Sequence, residues 1–223
     1  MATPDAVRHT TPARSNRDIR QIRLPRIAET GSAVWARTTE SERADMNTNQ
    51  APAMSWQESI FTVLKQGGVR QIAYVPDAGH SHVIRRAQAD PEIRDIVLTT
   101  EEEGVALVSG AWLGGQRAVL LMQSSGVGNC INMFSLLQCC RFPFLTLVTM
   151  RGEYAEFNPW QCPMGKSTQA AMEMMGITVL RASVPEEVSD LVSAGLDAAF
   201  EGGQQVAVLL SQRLIGRKQW EMK

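Results

Sequence analysis

A strand, a helix and a second strand in immediate succession constrain this chain more than any other stretch. Residues 96–129, IVLTTEEEGVALVSGAWLGGQRAVLLMQSSGVGN, hold a short apolar strand, three consecutive carboxylates (Glu101, Glu102, Glu103) and a helix of small residues. A second strand over 118–122 then opens into a glycine-containing loop, Gln123-Ser124-Ser125-Gly126-Val127-Gly128-Asn129. Together the pieces make one βαβ unit, the crossover that parallel strands require. Ligands of open α/β sheets bind outside the carboxyl ends of the strands. Both the Glu run and the Gly loop fall on that edge.

The same alternation continues on either side. Trp56, Ile60, Phe61 and Leu64 share a helical face that Gly67-Gly68 terminates. A strand over 71–75 ends at Pro76, and a helix over 83–89 stops at Asp90-Pro91. After the Gly loop, Ile131, Met133, Phe134, Leu136 and Leu137 mark a helix running to about residue 140. Residues 144–149, FLTLVT, are apolar without alternation, as a parallel strand covered on both faces must be. A long irregular stretch follows Arg151-Gly152-Glu153 and reaches Lys166; connections of that length are often functional. A helix over 168–175, a strand over 177–181, a helix opened by Ser183 and Pro185, and a closing strand over 206–210 complete the pattern. The fold class predicted is α/β: a doubly wound, mostly parallel six-stranded sheet with helices on both faces.

Residues 1–53 read differently. Eight arginines lie among Thr, Ser, Pro and Asp with no sustained apolar period, so a disordered leader is expected there. Asp5, Asp18 and Glu29 argue against a targeting peptide, and Met46 and Met54 are alternative starts. A net charge of −1 gives no case for nucleic acid. No apolar stretch approaches membrane-spanning length. The four cysteines, Cys130, Cys139, Cys140 and Cys162, lack metal-ligand spacing and read as reduced packing residues of a cytoplasmic protein.

The Gly loop is not a dinucleotide fingerprint, because Ile131 stands where the third glycine belongs, and no P-loop lysine is present. Alone it is a place where backbone can approach a ligand, or a tight turn. The Glu run alone is either a first helical turn complementing the dipole, with Thr99 or Thr100 as cap, or a proton-shuttling site. Three adjacent acids at a strand end force at least one toward the sheet, where burial and a like-charged neighbour raise a carboxyl pKa.

Taken together, TTEEEGVALVSGAW and AVLLMQSSGVGN resemble the pyrimidine-binding domain of thiamine diphosphate enzymes. Within it they are similar to the alpha subunit of sulfopyruvate decarboxylase and the matching half of phosphonopyruvate decarboxylase. Tyr74-Val75-Pro76-Asp77, Met150-Arg151-Gly152-Glu153, Pro163-Met164-Gly165-Lys166 and the closing residues 206–211 carry the same resemblance, which spans about residues 54–213 within a domain drawn over 54–223. It implies that one Glu hydrogen-bonds N1′ of the cofactor's aminopyrimidine, so that the imino form can take the proton from the thiazolium C2 before a 2-oxo acid loses CO2. Spacing back from Trp112 points to Glu102, with Glu101 and Glu103 left open. Gln123, Ser124, Ser125, Gly126, Gly128 and Asn129 are the implied cofactor-binding loop. Asp77, His80, Arg151 and Lys166 are the candidate substrate contacts, since an anionic 2-oxo acid needs fixed positive charge; His82 shares the loop of His80.

Relatives hold the diphosphate and Mg2+ through a Gly-Asp-Gly motif, and this sequence has none. The resemblance therefore implies a beta subunit that supplies the diphosphate and Mg2+ site, a hetero-oligomer, and no activity from this chain alone. The loop also departs from the pattern at Gly79-His80-Ser81 and at Ser124, which bears on sulfopyruvate as the substrate. A carboligase subunit and a non-catalytic nucleotide-binding or regulatory α/β module are the alternatives.

Overall fold

The computed structural model describes residues 54–217. The expectation for residues 1–53 lies outside them. Six strands alternate with helices: β1 (Val69–Tyr74), β2 (Arg94–Val97), β3 (Arg117–Gln123), β4 (Phe144–Thr149), β5 (Thr178–Ala182) and β6 (Gln205–Leu210). All pairs are parallel and the order is β2-β1-β3-β4-β6-β5. The chain winds outward in opposite directions from β1 and β3, so the crevice between their carboxyl ends is the switch point where such sheets bind ligands.

The central strands are buried on both faces because their alternate side chains feed two cores. On one face Val119, Leu121, Leu145 and Leu147 pack under α1 (Trp56–Gln66), α2 (Ser81–Ala89) and α7 (Pro185–Phe200). On the other, Leu120, Met122, Val148 and Leu209 pack under α3 (Glu101–Leu113), α4 (Ser124–Cys130), α5 (Phe134–Cys140) and α6 (Cys162–Met174). A short α8 (Gln212–Ile215) follows β6. This is the doubly wound, six-stranded α/β sheet that the alternating pattern requires.

Two expectations are corrected. The Gly loop is not a loop: α4 begins directly at Ser124, and the helix expected from Ile131 starts only at Phe134, as α5, after a turn over 131–133. Two glycines cost such a helix about 1 kcal/mol each by propensity, but Val127 and Cys130 are buried and hold it in place. The irregular stretch after β4 is likewise shorter than read. A 3₁₀ turn (Pro159–Gln161) leads into α6, whose Pro163 sits in the first turn where its missing N–H is harmless.

Candidate active site

The three carboxylates at the start of α3 have separate fates. Glu101 turns inward and is 8% exposed; its Oε2 accepts a hydrogen bond from Asn129 Nδ2 at 2.9 Å. Helix α4 passes so close that a Cβ on Gly126 would lie 2.3 Å from the Glu101 carboxyl carbon. Glycine is thus required there by contact. Glu103 Oε2 accepts the N–H of Thr99 at 3.0 Å and closes the helix start. Thr100 takes the N-cap position without a side-chain hydrogen bond. Glu102 and Glu103 are both exposed, and of the three only Glu102 has no hydrogen-bond or ion-pair partner among the described residues.

Neighbouring Cys130 is buried, and burial first, then the charges of Glu101 and Glu102, push its thiol up to about 12. It stays protonated and serves as a packing residue.

A cavity of about 360 Å³ lies at the carboxyl ends of β1, β3 and β4. Asp77, in the turn after β1, organises it. Its Oδ1 accepts from Gln123 Nε2 at 2.8 Å, and its Oδ2 accepts from Thr149 Oγ1 at 2.8 Å and from Gly79 N–H at 3.0 Å. Ser125 donates its hydroxyl to Gln123 Oε1 at 2.9 Å. One carboxylate therefore ties three strand ends together.

Arg151 borders the same cavity. Its Nε and Nη2 donate to Glu156 Oε2 and Oε1 at 2.6 and 2.7 Å, a two-point pair in which the Glu156 side chain is 3% exposed. Hydrogen bonding from Arg151 holds the Glu156 carboxyl down at about 2 against the opposing effect of burial. Gln212 joins in, donating to Glu156 Oε2 at 2.9 Å and accepting the N–H groups of Glu153 and Tyr154 at 3.0 Å. Glu153 in turn pairs with Arg181.

Asp77, Gln123 and Arg151 are thus brought to one cavity, while three other expected contacts are not. His80 is buried at 1% exposure, with Nε2 between the carbonyls of Met122 (3.2 Å) and Leu147 (3.1 Å). Two carbonyl acceptors require that nitrogen to carry the proton, and burial pushes the imidazole pKa down. It is a neutral brace under the sheet edge and not a substrate contact. Its neighbour His82 faces Glu58, 2.8 Å away. Ser124 is fully buried, and its Oγ accepts the N–H of Arg151 at 3.1 Å, so it joins β3 to β4 instead of facing a cleft. Lys166 is exposed on α6 and does not border the Arg151 cavity.

Gly128 and Asn129 border a different space, an open groove of about 610 Å³ shared with Trp160, Pro163 and Met164. The sequence reading missed Trp160 and Met164 as well as Glu156, Thr149 and Gln212. An aromatic between Pro159 and Pro163 in a polar stretch was the one signal available; Glu156 and Gln212 lie in no periodic pattern.

No family model matches the chain. It is 33% identical over 158 residues to the alpha subunit of sulfopyruvate decarboxylase from Methanococcus maripaludis, covering 70% of this chain and 95% of that one. It is 31% identical over 160 residues to sulfopyruvate decarboxylase from Methanosarcina acetivorans, covering 71% of this chain but 40% of the longer protein. Among solved structures, a 2-oxoglutarate:ferredoxin oxidoreductase from Magnetococcus marinus shares the fold at a TM-score of 0.56 and 14% identity, over 75% of this chain and 33% of that one.

Proposed function

Since the chain belongs to the sulfopyruvate decarboxylase alpha-subunit family, we propose that it is the pyrimidine-binding subunit of a two-chain, thiamine diphosphate-dependent decarboxylase. It is an enzyme subunit, a carboxy-lyase acting on sulfopyruvate or a similar small anionic 2-oxo acid. In this reading residues 54–223 are the pyrimidine-binding domain, and a beta subunit carries the diphosphate and Mg2+ in a cytoplasmic hetero-oligomer. The cytoplasmic location rests on four cysteines without disulfide or metal spacing.

The observation that carries the proposal is the division of labour in the Glu run. Glu101 is committed to Asn129 and Glu103 to the Thr99 N–H, which leaves Glu102 as the free acceptor at the carboxyl edge. A free carboxylate at a helix entry fits the protonated N1′ of an aminopyrimidine. Gly126 lets α3 and α4 close up around Glu101 so that the next residue faces out. The diphosphate end finds no match, since the sequence lacks Gly-Asp-Gly.

When bound, the thiamine ring supplies the nucleophilic carbon and the electron sink for loss of CO2. Glu102 holds and releases the proton at N1′. Glu101 and Glu103 fix the turn that carries Glu102. Arg151 contacts the anionic substrate through Nη1, the guanidinium nitrogen without a partner among the described residues, while Asp77 and Gln123 hold the cavity open beside it.

The purified chain with thiamine diphosphate, Mg2+ and sulfopyruvate should release no CO2. Its complex with the companion chain should do so, and Glu102→Gln should lower turnover by about 10²–10⁴-fold while the chains stay associated. Turnover by the chain alone, or undiminished turnover by Glu102→Gln, would overturn the reading.

A further inference from the structure

Glu156 leaves Arg151 with one edge to use. Its Oε2 and Oε1 accept the Nε and Nη2 protons of Arg151 at 2.6 and 2.7 Å. A guanidinium carries five N–H donors in a rigid fork, so the outer edge remains for a ligand: both protons of Nη1 and the second of Nη2. The pair is fixed in place, because Glu156 also accepts the Asn158 N–H at 3.0 Å and the Gln212 amide at 2.9 Å. The backbone beneath it is pinned as well. Ser124 Oγ accepts the Arg151 N–H at 3.1 Å, and a Cβ on Gly152, whose φ is +81°, would lie 2.3 Å from the Gln161 carbonyl oxygen.

The cavity that Arg151 borders suits a negatively charged guest. Arg151 and Arg217 line it against one carboxylate, Asp77. Gln123, Thr149 and the Gly79 N–H already donate to the two oxygens of Asp77, so its charge is met by fixed donors. A 2-oxo acid with an anionic side chain brings two negative ends to this wall, and they are not equivalent. The carboxylate leaves as neutral CO2, so a cation paired with it stabilises the reactant more than the transition state and slows the reaction. The distal sulfonate keeps its charge throughout, and a cation there holds reactant and transition state alike.

We infer that Glu156 is a positioning residue for substrate selectivity: by taking one edge of Arg151 it aims the other at the distal anion of the 2-oxo acid, and not at the carboxylate that leaves. The inference rests on the decarboxylase reading above and on Arg151 as its anion contact. A 2-oxo acid without a distal anion, such as pyruvate, is then disfavoured at the binding step.

The test is turnover of sulfopyruvate and of pyruvate by the two-chain complex with thiamine diphosphate and Mg2+. Glu156→Gln leaves Arg151 charged but unaimed, and should lower the ratio of the two kcat/KM values about 3–10-fold. Arg151→Gln combined with Glu156→Gln leaves no buried charge unpaired, and should lower it about 10–100-fold. Both losses should be read as a higher KM for sulfopyruvate, with kcat within about threefold of the parent; this reading stands even where pyruvate turnover is below detection. A purely structural role would move both substrates together, so an equal fall for the two overturns the inference. An unchanged ratio overturns it, and so does a fall in kcat on sulfopyruvate with KM kept. Arg217→Gln, at an exposed guanidinium lining the same cavity, should lower the ratio less; a larger loss there than in the double variant overturns the inference in favour of Arg217. Glu102→Gln keeps the two readings apart. Full turnover by that variant sinks the decarboxylase reading, whereas an unchanged ratio in the double variant, with Glu102→Gln inactive, sinks the role of Glu156 alone.

Discussion

Glu101 and Asn129 join the entry of α3 to the last turn of α4: the Asn129 amide donates to the Glu101 carboxylate at 2.9 Å, and that carboxylate rests against Gly126. The contact crosses 28 residues of chain and sets the spacing of α3 against α4. Asn129→Ala removes the donor from a carboxylate that remains buried, and should destabilise the chain by about 1–2 kcal/mol. Asn129→Asp places a second carboxylate on the first and should cost more than Asn129→Ala. Urea midpoints at neutral pH give the order; equal midpoints for the two variants would show that the carboxylate is not held as described.

The Gly126 contact yields a companion prediction. A methyl group at that position meets the Glu101 carboxyl at 2.3 Å, and the neighbouring Leu120 and Leu98 already crowd Gly104 beneath it. Gly126→Ala therefore displaces the start of α3, at a cost of about 1–3 kcal/mol, even though alanine favours a helix over glycine. Gly126→Ala combined with Glu101→Ala should recover most of that loss, because the smaller side chain leaves room for the methyl. Thermal unfolding of the single and double variants measures the coupling.

The Arg151–Glu156 pair anchors the segment between β4 and the 3₁₀ turn. Glu156→Gln leaves the guanidinium of Arg151, only 16% exposed, without its carboxylate, and should cost about 2–3 kcal/mol. Because the Glu156 carboxyl is held at about 2, below its ordinary value of 4.5, its contribution is complete above pH 4.5 and is lost as pH falls toward 2. The parent should therefore lose stability across that window and Glu156→Gln should lose less. Denaturation midpoints taken between pH 5 and pH 3, in the range where carboxylates titrate, compare the two slopes.

Much of this fold was legible because its central strands are unbroken apolar runs. FLTLVT at 144–149 matches β4 residue for residue, and Pro76, Asp90-Pro91 and Gly202-Gly203 mark real element ends. The misses share a cause. Gly126, Gly128, Pro163 and Gly165 fall in stretches read as loop or irregular, yet all four sit in helices, because close approach overrides propensity: a Cβ at Gly165 would lie 2.0 Å from the Arg151 carbonyl oxygen. His80 looked like a loop histidine facing substrate, since no sequence period reveals that its ring reaches under β3 and β4. Within the Glu run, the resemblance pointed to Glu102 and left Glu101 and Glu103 open; the contacts of those two explain why the middle carboxylate is the unpartnered one.

His80 supplies a pH signature on the alkaline side of the carboxylates. Its imidazole is buried neutral, donating from Nε2 to the Met122 and Leu147 carbonyls, and burial lowers its pKa below the ordinary 6.5. The unfolded chain therefore binds a proton as pH falls below 6.5 while the folded chain does not. The sign follows directly: stability is fully present above pH 6.5 and declines as pH drops through that value, with a slope of at most about 1.4 kcal/mol per pH unit from this one group. His80→Gln keeps an N–H donor but has no titrating ring. It should be less stable than the parent at pH 7.5 from imperfect packing at a fully buried position, yet lose less stability between pH 6.5 and pH 5. Urea midpoints at those pH values decide it, and parallel slopes for parent and variant would show that the ring protonates without cost in the folded chain. Turnover of the two-chain complex should follow the folded fraction in both proteins, since His80 does not border the Arg151 cavity.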